Sequence, residues 1–152
     1  MDLVENTLEV EVDTFLARPL FCFFAQRSGH GPRLSPLWFL WEEKTIWNVA
    51  RLSDRSYPER VNEYPRSAIA VVDFDPATGR VEHVGMRGRA TIEPYDSGRA
   101  DRLFKKYLGG QKSEWPEMFV DFDTDEYRFI KFEPETVVAR DQSYPAPAGV
   151  GD

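Results

Sequence analysis

The sequence predicts a mainly β domain, built as an antiparallel barrel of six to eight strands with peripheral helices. Short segments rich in β-branched and aromatic residues recur along the whole chain. Tight turns of hairpin type join several of these segments. Helix signals are confined to a few short stretches between the strands, which favours a β fold over a helical bundle.

The length and composition are those of one globular domain. With 152 residues, 41% of them hydrophobic, the chain can bury a substantial core. The sequence shows no internal repeat and no change of composition that would mark a second domain. We therefore assign residues 1–144 to one domain and residues 145–152, which are rich in proline, glycine and alanine, to a flexible tail.

Charge and residue usage exclude several function classes. A net charge of −7 disfavours a nucleic-acid partner, because the phosphates would be repelled. His30, His83 and the lone Cys22 lack the spacing of zinc ligands, so no metal site is predicted. A single cysteine cannot form an internal disulfide, which fits a reducing compartment. No signal pattern and no apolar run near about 18 residues is present, so we expect a cytoplasmic protein without membrane contact.

The first part of the chain is predicted to contain a short strand or arm, a helix and three strands. The first twelve residues alternate acids with leucine and valine, and Asp13 has the residue type of an N-cap for a helix that ends before Pro19. The apolar run Leu20–Gln26 is typical of a buried strand and is followed by a glycine-containing turn. A hairpin follows, formed by Arg33–Trp41 and Thr45–Ala50.

The middle of the chain is predicted to contain a polar loop, a short helix and two long strands. The loop covers Arg51 to Ser56 and the helix covers Pro58 to Glu63, with proline at a position that a first helical turn tolerates. Strands over Ser67–Phe74 and Arg80–Ile92 are joined by a loop in which Gly79 supplies a positive φ. Within the second of these strands, we expect bulges at Gly85 and Gly88.

The last third of the chain is predicted to contain an amphipathic helix and a final pair of strands. Asp96 caps the helix, which runs to Leu108 and stops at two glycines. The helix is expected to be structural only, with the apolar residues Ala100, Leu103, Phe104, Tyr107 and Leu108 on the barrel and the basic residues Arg99, Arg102, Lys105 and Lys106 in solvent. Trp115–Phe122 is a short helix or an irregular cover. Strands over Tyr127–Phe132 and Thr136–Arg140 are predicted to flank a turn at residues 133–135.

The longest run of informative residues extends from Pro32 to Asp75 and reads PRLSPLWFLWEEKTIWNVARLSDRSYPERVNEYPRSAIAVVDFD. It resembles the FMN-binding split barrel of the pyridoxamine 5'-phosphate oxidase-like superfamily. The resemblance continues through EHVGMRGRATIEPYD, RLFKKYLGG and FEPETVVARDQSY, and so covers the chain from Asp13 to Tyr144. It implies a split β-barrel, a homodimer, and cofactor sites that lie at the dimer interface.

The resemblance also implies where the cofactor phosphate binds. In the superfamily the phosphate is held by the loop and the short helix after the second strand of the hairpin, which corresponds here to Arg51, Ser53, Arg55, Ser56 and Arg60. Many members have a lysine eight residues before the proline that opens the next strand. Counting back from Pro65 gives Tyr57, so this contact is not carried over. The alternative interpretation is a solvated helix start with scattered arginines.

The strand pair before this loop is implied to line the flat face of the isoalloxazine ring. The residues placed near the ring are Ser35, Trp38, Trp47, Asn48 and Val49. The alternative for each aromatic residue is a place in the barrel core or the dimer interface. Arg87 and Gly88 match an Arg-Gly pair of the superfamily, where the barrel bends, and no catalytic acid, base or nucleophile is identified.

The function that the resemblance implies is an oxidoreductase that acts on a small molecule through bound FMN or through a deazaflavin relative. The hydride chemistry would belong to the cofactor, which accounts for a sequence without an evident catalytic residue. Two alternatives stay open. The protein could bind a flavin without turnover, as a carrier or sensor, or it could have lost the cofactor and serve as an interaction module.

Overall fold

A computed structural model describes residues 1–53 and 57–149, with only the backbone for residues 57 and 58. Within this part the chain forms eight strands: β1 (Asp2–Asn6), β2 (Cys22–Ser28), β3 (Gly31–Leu37), β4 (Leu40–Glu42), β5 (Thr45–Arg51), β6 (Arg66–Asp75), β7 (Arg80–Pro94) and β8 (Tyr127–Asp141). The α-helices are α1 (Val12–Leu16), α2 (Tyr57–Glu63) and α3 (Ser97–Leu108). Three single turns of 3₁₀ helix lie between α3 and β8.

All eight strands belong to one sheet that curls into a split barrel, as the sequence predicted. The strand order is β3-β2-β6-β7-β8-β5-β4, and β1 pairs with β8 in parallel orientation. The interior is apolar and contains the fully buried rings of Phe15, Phe24, Phe39 and Phe132. The rings of Phe24 and Phe132 meet edge to face, with their centroids 6.3 Å apart.

A second apolar cluster lies outside the barrel wall, between β5, β8 and the segment from α3 to Phe122. Its buried members are Trp47, Ala100, Leu103, Phe104, Trp115 and Phe129. The segment predicted as a short helix or irregular cover contains the 3₁₀ turn Glu117–Phe119 and lies over this cluster. The high aromatic content of the sequence is therefore divided between two cores.

Helix α3 begins and ends where the sequence predicted. The side chain of Asp96 accepts a hydrogen bond from the backbone nitrogen of Arg99, and Gly109 ends the helix with φ of 90°. Of the four basic residues predicted to lie in solvent, two are instead partly buried. The guanidinium of Arg99 is half-buried against the Trp47 ring, and Lys106 turns inward, as described below.

The predicted turn at residues 133–135 is wrong, because β8 runs unbroken from Tyr127 to Asp141. The register against β7 shifts between Arg87 and Gly88, so β8 contains a bulge where the turn was expected. Gly88 permits this arrangement, since a Cβ there would overlap the carbonyl oxygen of Glu133 and lie 2.9 Å from the Cα of Pro134. The bulge predicted at Gly85 is absent from the register of both neighbouring strands.

Two predictions for the first part of the chain also need correction. The segment Arg33–Trp41 is not one strand: β3 pairs with β2, and only β4 forms the hairpin with β5. Asp13 does not cap a helix, because α1 starts at Val12 and ends at Leu16. Its carboxylate instead accepts hydrogen bonds from the Trp41 indole at 2.7 Å and from the Lys44 ammonium at 3.0 Å.

The residues after β8 remain attached to the barrel. The backbone nitrogen of Gln142 donates to the carbonyl of Val81, and that of Tyr144 donates to the carbonyl of Gly79. Gly79 has the predicted positive φ, at 77°, and a Cβ at this position would overlap the carbonyl oxygen of Tyr144. The chain up to Tyr144 thus packs against the start of β7.

Candidate functional site

The short break between β3 and β4 is held by side chains from distant elements. The Asn48 amide donates to the carbonyl of Trp38 at 2.7 Å. The Tyr107 hydroxyl accepts from the backbone nitrogen of Phe39 at 3.0 Å, and the Lys106 ammonium donates to the carbonyl of Phe39 at 3.0 Å. Because β5 and α3 both bind this backbone, the position of Trp38 is closely defined.

The Trp38 ring forms one wall of an apolar cavity, here called the Trp38 cavity. It stacks on the Tyr107 ring with centroids 4.5 Å apart and an interplanar angle of 2°. The cavity has a volume of about 210 Å³ and is lined by Leu37, Trp38, Val49, Leu103, Phe104, Met118, Phe119, Phe122 and Tyr127. The polar side-chain groups of this lining are the Tyr127 hydroxyl and the Trp38 indole N–H. Helix α3 therefore does more than cover the barrel, since two of its residues line the cavity.

Among the described residues, no strand pairs with β5 beyond Trp47 on the side away from β8, next to this cavity. The pairing with β4 ends at Trp47, whereas the pairing with β8 continues to Arg51. The backbone nitrogen of Leu52 donates to Glu126, on the β8 side. Because successive residues of a strand point their amide and carbonyl groups to opposite sides, those of Val49 point away from β8. The backbone donor and acceptor of Val49, which lines the cavity, thus lie on that side of β5.

The predicted phosphate-binding residues lie beyond the end of β5, and the structure describes part of the set. Arg51 and Ser53 are exposed, and a guanidinium nitrogen of Arg51 lies 3.1 Å from a carboxylate oxygen of Glu126. Arg60 on α2 is half-buried and donates to the side-chain oxygen of Gln26 at 3.4 Å. Arg55, Ser56 and the Tyr57 side chain lie outside the described residues.

The predicted ring-binding residues occupy different environments. Trp38 and Val49 share the cavity, whereas Ser35 is half-buried on β3 opposite Phe24. Asn48 is fully buried in the barrel, and its amide nitrogen also contacts the Cys22 sulfur at 3.4 Å. Trp47 is buried beneath the Arg99 guanidinium, which lies 3.6 Å from the centre of the indole ring. The cavity therefore groups two of the five with residues from α3 and the segment after it.

Lys106 lies near this site and turns inward, although the sequence predicted that it would lie in solvent. Its ammonium donates to the carbonyls of Leu16 and Phe39 and lies 3.5 Å from the centre of the Phe39 ring. Burial lowers the pKa of Lys106 to about 7. Burial also raises the pKa of the Cys22 thiol to about 11, against a smaller opposing effect of the Asn48 hydrogen bond. The sequence signal was weak, because Lys106 differs from the exposed Lys105 only by its place beside the apolar stripe.

The lowered pKa of Lys106 predicts that the protein becomes more stable as the pH rises from about 7 to 9. In this window the unfolded lysine still binds a proton that the folded lysine has released, so deprotonation favours the folded state, by up to about 1.4 kcal/mol per pH unit. Above this window the raised pKa of Cys22 lowers the stability as the pH rises, because the folded thiol still binds a proton that the unfolded thiol has released. Urea unfolding at several pH values should show the rise in the wild type.

Two variants of the same helix test this assignment. Lys106→Met should lose the rise in stability between these pH values, because the titrating group is gone. Lys105→Met should keep it, since Lys105 is exposed. A rise of equal slope in the wild type and in Lys106→Met would show that another group is responsible.

The described residues offer neither a metal centre nor a membrane helix. No group of three or more histidine, cysteine, aspartate and glutamate side chains is arranged to hold a metal ion in this part of the chain. Within the same residues, no helix has the length and apolar character needed to cross a bilayer.

Comparison with solved structures confirms the fold. The conserved hypothetical protein Rv2991 from Mycobacterium tuberculosis has 16% identity and a TM-score of 0.73, over 93% of this chain and 89% of that chain. An F420 reductase has 19% identity and a TM-score of 0.62, over 86% of this chain and 98% of that chain. A putative pyridoxamine 5'-phosphate oxidase from Listeria innocua has 17% identity and a TM-score of 0.58, over 82% of this chain and 90% of that chain. No family model and no curated protein sequence matches.

The structural neighbours are split-barrel proteins of the pyridoxamine 5'-phosphate oxidase-like type, and this chain has their fold. The resemblance drawn from the Pro32–Asp75 segment is therefore confirmed at the level of the fold. Sequence identities below 20% do not carry the cofactor or the reaction from one chain to another.

Proposed function

We propose that this protein binds a flavin-type cofactor, FMN or a deazaflavin relative, and acts as an oxidoreductase on a small molecule. The observation that carries the proposal is the Trp38 cavity beside the unpaired edge of β5. An apolar surface next to fixed amide and carbonyl groups suits a flat ring system with a polar rim. The F420 reductase among the structural neighbours supports the same cofactor class.

The residues of one chain fit such a ring only in part. A volume of about 210 Å³ is below the range of about 300–1,000 Å³ that is usual for ligand pockets. We infer that a second subunit completes the site. When bound, a flavin or deazaflavin supplies hydride transfer. The chain would contribute an apolar surface that excludes water, backbone groups of Val49 that orient the ring, and arginines for the phosphate.

The absorbance spectrum of the purified protein tests this proposal. Yellow colour with the bands of oxidised flavin, or the bands of a deazaflavin, supports cofactor binding, and mass spectrometry of the released ligand identifies it. Bleaching on addition of a reducing or oxidising substrate supports an enzyme over a carrier. Protein that stays colourless after incubation with both FMN and a deazaflavin would favour an interaction module instead.

We further propose a homodimer formed through the outer face of the sheet. Apolar residues on β1, β2, β3, β6 and β8 line a groove of about 760 Å³ there, among them Phe23, Leu34 and Val138. Leu34 is 67% exposed in the isolated chain. Burial of this face in a symmetric contact would remove apolar surface from water on both subunits at once.

Light scattering tests the dimer. At micromolar concentration we expect about twice the mass of 17.6 kDa that one chain has. Leu34→Glu should shift the mass toward that of the monomer, because it places a charge in the apolar contact. Lys105→Glu, at an exposed position of α3 outside this groove, is the control and should leave the dimer intact. A wild-type protein that stays monomeric would contradict a site shared between subunits.

A phosphate site at the end of β5 predicts a difference between FMN and riboflavin. Arg51→Ala should raise the Kd for FMN about ten- to a hundredfold, because removal of a charge-assisted hydrogen bond costs on the order of 1.5–3 kcal/mol. The Kd for riboflavin should change little. Titration by flavin fluorescence measures both, with Lys105→Ala as a control. Equal binding of FMN and riboflavin by the wild type would exclude a phosphate contact.

A further inference from the structure

A row of arginines crosses the outer face of the sheet, and none of them lines the Trp38 cavity. Arg66 on β6 and Arg89 on β7 are directly opposite each other in the strand register. The register of β2 against β6 ends with Gln26 opposite Ser67, and its continuation brings Arg27 opposite Arg66. Arg87 lies two residues from Arg89 on the same side of β7. All four side chains are exposed.

This arrangement is unfavourable without a counter-charge. Like charges directly opposite each other on neighbouring strands destabilise a sheet. Three carboxylates of the described residues lie near the four arginines: Glu135, which is 3.4 Å from Arg89, Glu133, which is opposite Arg89 in the register of β8 against β7, and Glu63. Among the residues that the structure describes, the side chains of Arg66 and Arg87 make neither a hydrogen bond nor an ion pair. Positive charge is thus concentrated at one place in a chain with a net charge of −7.

The arginines line two shallow and open grooves. One groove of about 680 Å³ is lined by Arg27, Arg66 and Arg87, and also by one carboxylate residue, Glu135. A smaller hollow of about 380 Å³ contains Arg27, Arg66 and Arg89.

The apolar groove proposed for the dimer contact offers Arg87 no carboxylate, because the titratable residues of its lining are His83, Arg87 and Arg140. A small-molecule anion would supply that counter-charge.

We propose that the arginine row, Arg27, Arg66, Arg87 and Arg89, binds the phosphate or carboxylate group of a small-molecule ligand. The planar guanidinium fork suits both oxyanions and binds them with two parallel hydrogen bonds. The groove volume lies within the usual range for small ligands of about 300–1,000 Å³. This site is separate from the phosphate site proposed at Arg51, and it does not depend on the cofactor.

The test uses the full-length protein freed of any cofactor, with inorganic phosphate and citrate as probes. Thermal unfolding and calorimetric titration compare each probe with sodium chloride at equal ionic strength. The wild type should gain stability from phosphate or citrate beyond the effect of chloride. Arg66→Gln and Arg87→Gln should each weaken binding of the effective probe about tenfold or more. Lys105→Gln, which removes one exposed charge on α3, should bind like the wild type.

A second readout separates a ligand site from a merely structural role. Without multivalent anions and at low salt, Arg66→Gln should be at least as stable as the wild type, because it relieves the cross-strand repulsion. Three results would overturn the proposal: no stabilisation beyond chloride, equal binding by the wild type and both arginine variants, or loss of binding in Arg51→Ala alone. The last result would assign the anion to the cofactor loop. Flavin absorbance is measured independently, so failure here leaves the proposed function untouched.

Discussion

Replacing Phe104 with alanine is expected to lower the free energy of unfolding by about 3–5 kcal/mol. The Phe104 ring is 7% exposed and packs edge to face on Phe119, with centroids 5.3 Å apart, and on Trp115 at 6.1 Å. The alanine variant loses these contacts and leaves a void next to the Trp38 cavity, which the surrounding rings cannot fill completely. Urea unfolding of the purified variant at neutral pH measures the loss.

Phe21→Ala is the matched control, because it removes the same side chain from a position that is 50% exposed. It should change the free energy of unfolding by less than about 0.5 kcal/mol, as is usual for surface substitutions. A similar loss of stability in both variants would indicate that the stability of the second apolar cluster does not depend on Phe104. A loss below about 1 kcal/mol in Phe104→Ala would contradict the packing described for α3.

Gly88→Ala is expected to be the most damaging single-methyl change in the sheet. The added Cβ would overlap the Glu133 carbonyl and crowd the Cα of Pro134, and both are backbone atoms that cannot move without disturbing β8. Overpacking against backbone costs about 3 kcal/mol or more. The pairing of β7 with β8 is the most extensive in the sheet, so a shift at this point affects both strands. The expected result is a lower urea midpoint or a failure to fold.

Gly85→Ala tests the same substitution three residues earlier on β7. A Cβ at Gly85 meets no atom within 4 Å, and this residue has no positive φ. The variant should be as stable as the wild type or gain up to about 1 kcal/mol, because alanine loses less backbone entropy than glycine on folding. Equal destabilisation by both substitutions would show that the bulge opposite Gly88 is not the cause.

The parts of the fold that could be predicted from the sequence are those with local causes. Helix α3 begins at the side-chain cap from Asp96 and ends at Gly109, and both signals lie within one turn of the helix. The loop before β7 follows from Gly79, whose φ of 77° few other residues adopt. Each of these features depends on residues close together in the chain, so the amino-acid pattern predicts them.

The features that could not be predicted depend on a distant partner. Residues 133–135 carry turn residues, yet they form a bulge because Gly88, far away in sequence, lets the two backbones approach. Lys106 turns inward because the carbonyls of Leu16 and Phe39 offer two acceptors at the end of its side chain. Asp13 meets Trp41 and Lys44 instead of a helix end.

For the candidate site as well, some residues could be predicted from the sequence and others could not. The strand pattern placed Trp38 and Val49 near one ligand surface, and the two residues line one cavity. The residues that complete the cavity come from α3, from the segment around Phe119 and from β8, and no spacing rule connects them to Trp38 in the sequence. Assignment of the cofactor contacts among Arg51, Ser53 and Arg60 stays a prediction.

The position of β8 has a consequence for how the barrel forms during synthesis. This strand pairs with β7, β5 and β1, so the strand that is synthesised after the other seven described strands is the one that joins the two halves of the sheet. Until residue 141 has emerged, β5 and β7 each expose an unpaired edge, and β1 has no partner. Edges of this kind are sites of mispairing between nascent chains. The chain therefore completes its fold after translation of β8, on the slow time scale that long-range strand pairing imposes.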